Sequence, residues 1–227
     1  LYNDTFQTYK KLAIPAGFIM LLLLILFGSV YMISLLSYFG NIKAVTSFLE
    51  NLAPLAFSPQ QLAYYILGTG AFNAITSLFS AGFIKMSRNV FHGALPKIGT
   101  VFSFFIKLDG LKIFAFTFVL QILYSYVSLV FQSYGLGLAG IFIFMLMHLL
   151  TLLVVPLIIF DKLPIHKAIQ ASASLVNQKP FIILSYMFLM ASLSFFGLFL
   201  FLIGIIFTLP LFFCFNYCVY HHIVEKN

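Results

Sequence analysis

The chain has 227 residues, of which 63% are hydrophobic and only 7% are charged. A soluble globular domain carries about 25% charged residues, so this composition excludes a protein whose whole surface faces water. The net charge of +7 does not predict a nucleic-acid partner, because the basic residues stand singly between apolar segments instead of forming one patch. We therefore expect a single transmembrane domain over residues 1–227, surrounded by membrane lipids.

Six apolar segments are each near the length that crosses a membrane, which takes about 20 helical residues. Because these segments are apolar on all sides and do not alternate in polarity, they predict an all-α helical bundle and not a barrel of strands. The first is too long for the apolar part of a signal peptide, which indicates a retained span. The predicted spans are residues 14–39, 60–85, 111–131, 138–160, 181–199 and 202–222.

The basic residues fall on one side of this six-span arrangement. Of the 12 lysines and arginines, only Lys43 lies in a loop on the opposite side. Lysine and arginine concentrate in the cytoplasmic loops of membrane proteins. The distribution therefore predicts that both termini lie in the cytoplasm, whereas five or seven spans would scatter these charges.

Residues 161–180, DKLPIHKAIQASASLVNQKP, interrupt the apolar sequence with a polar stretch. Pro164 suits the first turn of a helix. Small and apolar side chains recur there at helical spacing, and polar side chains such as Lys167 and Gln170 face away from them. The pattern predicts an amphipathic helix in the plane of the inner membrane surface. Its apolar face consists of Ile165, Ala168, Ile169, Ser172, Leu175 and Val176.

Similar segments precede the first and third spans. Asp4 and Gln7 are spaced as a helix capping box, and Pro15 is expected to break that helix before the first span. Residues 95–107 predict a second amphipathic helix, with Ile98, Val101, Phe102 and Phe105 on its apolar face. The recurring order predicts three repeats, over residues 3–88, 95–161 and 164–222. The alternative is that any interfacial segment before a span has this appearance.

The outer loop between the first two spans carries its own helix signals. Residues 42–52 place apolar side chains three and four apart, which predicts a short helix lying on the outer surface. Ser58, Pro59 and Gln61 follow in the order of a helix N-cap, first position and third position. They predict the start of the second span.

A series of residues in the C-terminal third carries a family resemblance. The series is Pro156, Leu157, Asp161, Ala168, Ile169, Ser172, Asn177, Gly204, Thr208, Pro210 and Tyr220. In it the chain resembles bacterial six-helix membrane proteins related to the membrane domain attached to glycerophosphoryl diester phosphodiesterases. The resemblance implies a six-helix fold in a bacterial inner membrane, and it implies no chemistry. The phosphodiesterase catalytic domain, with its acidic metal ligands, has no counterpart in this sequence.

Few side chains could support catalysis. The acidic residues lie in loops or near the ends of spans, no two of them are close in sequence, and no hydrolase, metalloprotease or phosphate-loop motif is present. We therefore expect no enzyme activity, no cofactor and no metal. The acidic residues are Asp4, Glu50, Asp109, Asp161 and Glu225.

Polar side chains in the middle of spans are candidates for an intramembrane site. His148 is the only ionisable residue in the middle of a predicted span, which makes it a functional-site hypothesis. The alternative is a neutral imidazole that bonds a serine, a tyrosine or a carbonyl group on a neighbouring helix. Gln121, Asn73 and Asn216 are other polar residues in the middle of spans, and each could be its partner.

A metal site on the last span is disfavoured. Cys214, Cys218 and His222 recur at four-residue spacing and share one helical stripe, and both side-chain types bind soft metals. A helix rises about 6 Å over four residues, so one metal could take only two of the three. Packing of small buried cysteines against another helix is the commoner use.

Two features of the spans concern helix geometry. Pro156 and Pro210 lie within the fourth and sixth predicted spans and are expected to interrupt them, and broken helices can mark a substrate site. Small residues on the second span let another helix approach closely, either within the monomer or in a partner. They are Gly70, Ala74, Ser77 and Ala81.

These observations leave two main functions open. The first is an accessory or scaffold subunit of a membrane complex, with other membrane proteins as partners and no catalytic site. The alternative is a small transporter or channel, for which an apolar or lipid-like substrate is favoured because the predicted interior holds almost no charge. A membrane enzyme is disfavoured because the acidic residues do not converge in the sequence.

Overall fold

A computed structural model describes residues 2–43, 58–178 and 203–225, together with residues 180, 181, 183–185, 188 and 192. These residues form seven α-helices and no strand, which confirms the predicted all-α class. The helices are α1 (Tyr2–Phe39), α2 (Pro59–Phe91), α3 (Leu108–Ser133), α4 (Gly137–Leu150), α5 (Val154–Phe160), α6 (Ile165–Gln178) and α7 (Ile203–Tyr220). A short 3-10 helix, Ile98–Thr100, lies between α2 and α3, and a π-helical turn, His221–Glu225, continues α7.

Four helical segments are long and apolar enough to cross a membrane, as expected of a membrane protein. They are Asn3–Ile33, Pro59–Phe91, Leu108–Ser133 and Gly137–Phe160, the last of which joins α4 and α5. They correspond to the first four predicted spans. The fifth predicted span, residues 181–199, lies mostly outside the described residues, and the sixth corresponds to α7. Six spans therefore stay a prediction.

The buried core lies toward one end of the helical bundle. The first half of α1 packs against α7, and the second half of α2 packs against both α7 and α3. Aromatic side chains from α7 fill the centre, and Tyr217, Tyr220 and Phe215 are almost fully buried. Phe83 of α2 stacks on Phe213 of α7, with ring centroids 5.0 Å apart.

Charged side chains gather at this same end of the described bundle, where α1 begins and α2, α5 and α7 end. We name it the basic end, and define it by Lys85, Arg88, Lys107, Lys112 and Lys162. Ion pairs and hydrogen bonds join its elements directly, since Arg88 pairs with Glu225 and His222 lies 2.9 Å from Asp4. The basic residues that are widely spaced in the sequence therefore lie together in the fold.

The predicted amphipathic helix over residues 95–107 is wrong. This segment forms the short 3-10 helix and then turns, and its buried side chains are Val101 and Phe104, not Ile98 or Phe102. Gly82 of α2 and Gly110 of α3 explain the difference. A Cβ atom on either glycine would collide with the backbone of Val101 or Phe104, respectively. The segment's backbone thus packs directly on two helices, and that close approach overrides the helical pattern.

The predicted break at Pro15 is also wrong, because α1 runs unbroken from Tyr2 to Phe39. Asp4 lies in its first turn and not at its cap. Leu12 and Ala16, on either side of the proline, are fully buried in the core. Tertiary packing of one continuous face therefore outweighs the lost backbone hydrogen bond.

Two other predicted helix features are present. Ser58 caps α2, since its hydroxyl accepts from the Gln61 backbone N–H while the Gln61 side chain accepts from the Ser58 N–H, and Pro59 is the first helical residue. Residues Ile165–Gln178 form α6, with Ala168, Ser172 and Val176 buried. Ile169, placed on the apolar face in the sequence analysis, is 38% exposed and lies at its edge.

The three-repeat arrangement stays a prediction that local structure does not support. Its first segments are a continuous part of α1, a 3-10 helix with turns, and the regular helix α6. The outer-surface helix predicted for residues 42–52 lies almost entirely outside the described residues.

Candidate functional site

A cavity of about 950 Å³ opens between α1 and α2, in the half of the bundle away from the basic end. Small-molecule sites in proteins are typically about 300–1,000 Å³, so it could hold a ligand. Apolar side chains form most of its walls. We name this region the open half, defined by Met20, Leu23, Leu24, Phe27, Gly28 and Tyr31 of α1, Gly68, Thr69, Phe72, Asn73, Thr76, Phe79 and Ser80 of α2, and Phe213 of α7.

Aromatic rings join the two helices at this cavity. Phe27 of α1 packs edge to face against Phe72 and Phe79 of α2, with ring centroids 5.5 and 5.7 Å apart. Edge-to-face pairs of this kind contribute about 0.5–1.5 kcal/mol beyond the burial of their area. Gly28 and Gly68 add no side chain, and a Cβ on either would meet nothing within 4 Å. The pair of glycines therefore leaves the space next to the aromatic rings empty.

A polar stripe runs along the α2 wall of the cavity. Thr69, Asn73, Thr76 and Ser80 recur four, three and four residues apart, which places them on one face of a helix. The Asn73 amide nitrogen donates to the Thr69 carbonyl oxygen at 2.9 Å, and the Thr76 and Ser80 hydroxyls likewise donate to carbonyl oxygens one turn earlier. The Thr76 and Ser80 hydroxyl donors and one Asn73 N–H are thus used within α2, while the Asn73 amide oxygen and the hydroxyl lone pairs can accept from a ligand.

The small-residue face sets the orientation of this stripe. Gly70, Ala74 and Ala81 are buried, and Ser77 is half-buried. A Cβ on Gly70 would lie 3.2 Å from the Phe118 ring of α3, so α2 and α3 are in close contact there. Packing of the small face within the monomer turns the neighbouring stripe, which includes Asn73, toward the cavity.

The fourth predicted span is broken at residues 151–153, between α4 and α5. The Ser172 hydroxyl of α6 donates to the Leu150 carbonyl oxygen at 2.6 Å and accepts from the Leu153 N–H at 3.2 Å. Pro156 has no N–H to offer the Leu152 carbonyl, which instead accepts from the Asn216 amide of α7 at 3.5 Å. Neighbouring helices thus bond backbone groups that the break leaves free.

The two prolines therefore behave differently. The break lies a few residues before Pro156, which itself is the third residue of α5. Pro210 does not interrupt its span, because α7 continues through it from Ile203 to Tyr220. The prediction that Pro210 breaks the sixth span is wrong. Pro210 and residues 213–220 are buried, so packing holds the helix across the proline.

His148 of α4 bonds a tyrosine on the neighbouring helix. Its Nδ1 lies 3.1 Å from the Tyr124 hydroxyl of α3, and its ring stacks on Phe144 with centroids 5.3 Å apart. Tyr124 is buried, whereas His148 lies at the outer surface of the described bundle. Gln121 is half-buried on α3, one turn before Tyr124.

The four midspan polar residues do not converge on one site. Asn73 lines the cavity, Asn216 lies at the helix break, and Gln121 and His148 lie on α3 and α4. Asn216 is 6% exposed, and its amide oxygen has no hydrogen-bond partner in the described part of the chain. The sequence showed that each residue was polar and midspan, but the side of the helix that each would face depends on tertiary packing.

The cysteines of α7 pack inside the core. Both are fully buried, and the Cys214 sulfur accepts from the Ser87 hydroxyl of α2 at 3.7 Å. His222 is turned toward Asp4 instead. Within the described residues, no group of three or more histidine, cysteine, aspartate and glutamate side chains could hold a metal ion.

The basic end contains a polar network that sequence reasoning missed. The Glu225 carboxylate lies 3.2 Å from the Arg88 guanidinium, accepts from the Tyr217 hydroxyl at 3.3 Å, and is paired with His221. The Tyr217 hydroxyl is also 3.1 Å from His92. The network joins the ends of α2 and α7.

The other described acids also find partners at this end. The Tyr220 hydroxyl donates to Asp161 at 2.9 Å, and Asp109 is paired with Lys112 and Lys162. Only the spacing of Tyr217, Tyr220, His221 and Glu225 could have indicated the convergence. This spacing places several polar groups on one face of a helix end, but the partners of Tyr217 and Tyr220 at the ends of other helices lie more than 50 residues away in the chain.

The chain was also compared with known proteins. No protein-family model, no curated protein and no solved structure matches it.

Proposed function

We propose that this membrane protein binds a lipid-like molecule in the cavity between α1 and α2 and transports it within the membrane. The observation that carries the proposal is the cavity itself, with its apolar walls, its volume of about 950 Å³ and its one polar stripe. Such a site fits an elongated apolar molecule that carries a hydroxyl or amide donor. The donor would reach the acceptors on Asn73, Thr76 and Ser80.

The lining of the cavity favours a ligand whose buried part is uncharged or weakly polar. Among the described residues that line the cavity, none carries a charge. A charged group at membrane depth would be costly without a partner. The ligand's charged group, where it has one, would therefore lie outside the cavity, toward a membrane surface.

The proposed topology places this cavity toward the outer leaflet. The basic end would face the cytoplasm, as the concentration of lysine and arginine in cytoplasmic loops suggests, and six spans would place both termini there. A cysteine introduced at Lys43 should react with a membrane-impermeant reagent added outside the cell, and one introduced at Lys97 should not. The reverse labelling pattern would contradict this topology.

Filling the cavity tests the proposed function. A Gly28→Leu substitution places a side chain in space that is empty in the structure. We expect the affinity for a fluorescent monoacylglycerol analogue, whose hydroxyl groups can donate to the α2 stripe, to fall by about tenfold or more, because the side chain and the ligand would compete for one volume. The amount of lipid that co-purifies in mild detergent, measured by mass spectrometry, should fall in parallel.

Gly137→Leu is the matched control, since Gly137 lies at the start of α4 and its Cβ would also meet nothing within 4 Å. This variant should bind the analogue as the wild type does. Equal binding by wild type and Gly28→Leu would overturn the proposal. A protein partner that co-purifies at fixed stoichiometry with both would then favour the accessory-subunit hypothesis.

A further inference from the structure

Four lysines gather at the basic end, and two of them pair with a single aspartate. Lys85 comes from α2, Lys112 from α3, Lys107 from the residue before α3, and Lys162 from the residues after α5. Asp109 is already used by two of them, since Lys112 Nζ lies 3.3 Å from one carboxylate oxygen and Lys162 bonds the other. The cluster therefore keeps an excess positive charge on Lys85 and Lys107.

Lys85 and Lys107 are held over the same aromatic ring. Their Nζ atoms lie 5.5 and 5.9 Å from the centroid of the Phe104 ring, which is itself buried. Neither has an acidic partner within the part of the chain that the structure describes. Lys85 is also close enough to Lys107 and Lys162 for their positive charges to repel its own. Like charges gathered in this way are stabilised when an anion lies between them.

An apolar groove begins at Lys107 and at Phe104, the ring over which both ammonium groups lie. It has a volume of about 410 Å³ and is lined by Leu78, Phe105, Lys107, Leu111 and Phe114, among others. Its rim is strongly apolar, since Ile106 and Leu108 are 96% and 80% exposed. Paired cations next to an open apolar groove match a molecule that has an anionic group at the end of a hydrocarbon chain.

We propose that Lys85 and Lys107 bind the phosphate group of an anionic phospholipid, whose acyl chain lies in the groove that begins at Phe104. This site is separate from the cavity between α1 and α2 and does not depend on it. Free inorganic phosphate could satisfy the two lysines but would leave the apolar groove uncovered. Clusters of basic residues at the cytoplasmic ends of spans commonly bind anionic headgroups.

The test is a titration of the purified protein, in an uncharged detergent, with a short-chain phosphatidylglycerol. Phosphatidylcholine of the same chain length and inorganic phosphate are the comparison probes. The double variant Lys85→Gln/Lys107→Gln should bind phosphatidylglycerol about thirtyfold more weakly, and Lys107→Gln alone about fivefold more weakly. The control, Lys97→Gln/Lys167→Gln, removes the same amount of charge at two other lysines on the predicted cytoplasmic side.

Selective loss in the first double variant, with a near-normal control, supports the site. Equal losses in both double variants would show diffuse surface charge and overturn it, as would phosphate or phosphatidylcholine binding as tightly as phosphatidylglycerol. Lys107 is exposed, so its single variant tests the proposal even where the double variant fails to fold. Binding that is normal in the Lys107→Gln variant would overturn the proposal as well.

Discussion

The basic end and the open half of the described bundle are built from the same helices in opposite ways. At the basic end, α1, α2 and α7 bury aromatic side chains, and each described acid has a basic or hydroxyl partner. In the open half, α1 and α2 separate around a cavity with glycines on both walls. Residues such as Leu22 and Ile25 of α1 are about half exposed there.

This difference indicates a division of roles along the bundle axis. A close-packed end with buried polar links has little freedom to rearrange, because interiors at crystal-like density transmit strain. A cavity that opens between two helices needs few contacts to be broken before a ligand enters. We infer that the basic end holds the helices together while the open half accommodates the ligand. The following substitutions test that inference, in order of expected effect.

The largest effect is expected from a charge on the buried face of α6, which packs at the basic end. Ala168 is fully buried, so Ala168→Asp would place an unpaired carboxylate in the core, at a cost of several kcal/mol. We expect little or no monodisperse protein in size-exclusion chromatography.

Two neighbours provide the controls for Ala168→Asp. Ile169→Asp should be milder because that side chain is 38% exposed, and Lys167→Gln should change stability by no more than about 0.5 kcal/mol. If all three variants are equally well folded, α6 does not pack on the core, and the basic end is less tightly packed than the structure indicates.

The same substitution at two glycines compares the two halves directly. Gly82→Ala forces a Cβ onto the backbone of Val101, and overpacking of this kind costs about 1–3 kcal/mol. Gly28→Ala meets nothing within 4 Å and removes a flexible residue from a helix, which favours folding by up to about 1 kcal/mol. The thermal midpoints of the two variants should therefore move in opposite directions.

Thermal unfolding in detergent, followed by circular dichroism, measures both shifts. For a chain of this length, 1 kcal/mol corresponds to about 2–4 °C. A destabilising Gly28→Ala would show that the open half is close-packed, and would remove the contrast on which the proposed cavity rests.

Local sequence patterns predicted the features that depend on neighbouring residues. The capping box at Ser58 and the helix α6 form as expected because their hydrogen bonds and spacing lie within a few residues. The predicted helix breaks at Pro15 and Pro210 are wrong because continuous buried faces hold both helices across the prolines. The position of the break before Pro156 depends on Ser172 and Asn216, which come from other helices.

The candidate site was harder to predict than the helices. A helix that is apolar on every side does not indicate which face meets a neighbour and which lines a cavity, so the open half left no pattern in α1. Asn73 was recognisable in the sequence as a midspan polar residue, but it could equally have faced lipid. The packing of Gly70 on Phe118 decides the question, and that contact joins residues in different helices.

The smallest effect is expected at the hydrogen bond between Tyr124 and His148, which lies outside both regions. Tyr124→Phe removes the hydroxyl and leaves the ring in place, and bonds of this kind between membrane helices average about 0.6 kcal/mol. The thermal midpoint should fall by no more than about 2 °C. Tyr126→Phe, an exposed tyrosine on the same helix, should change nothing measurable. A loss for Tyr124→Phe as large as that for Gly82→Ala would make this pair part of the core. If Tyr124→Phe keeps normal stability but loses transport of the monoacylglycerol analogue, His148 and Tyr124 belong to the transport pathway, because a purely structural bond would change stability and transport together.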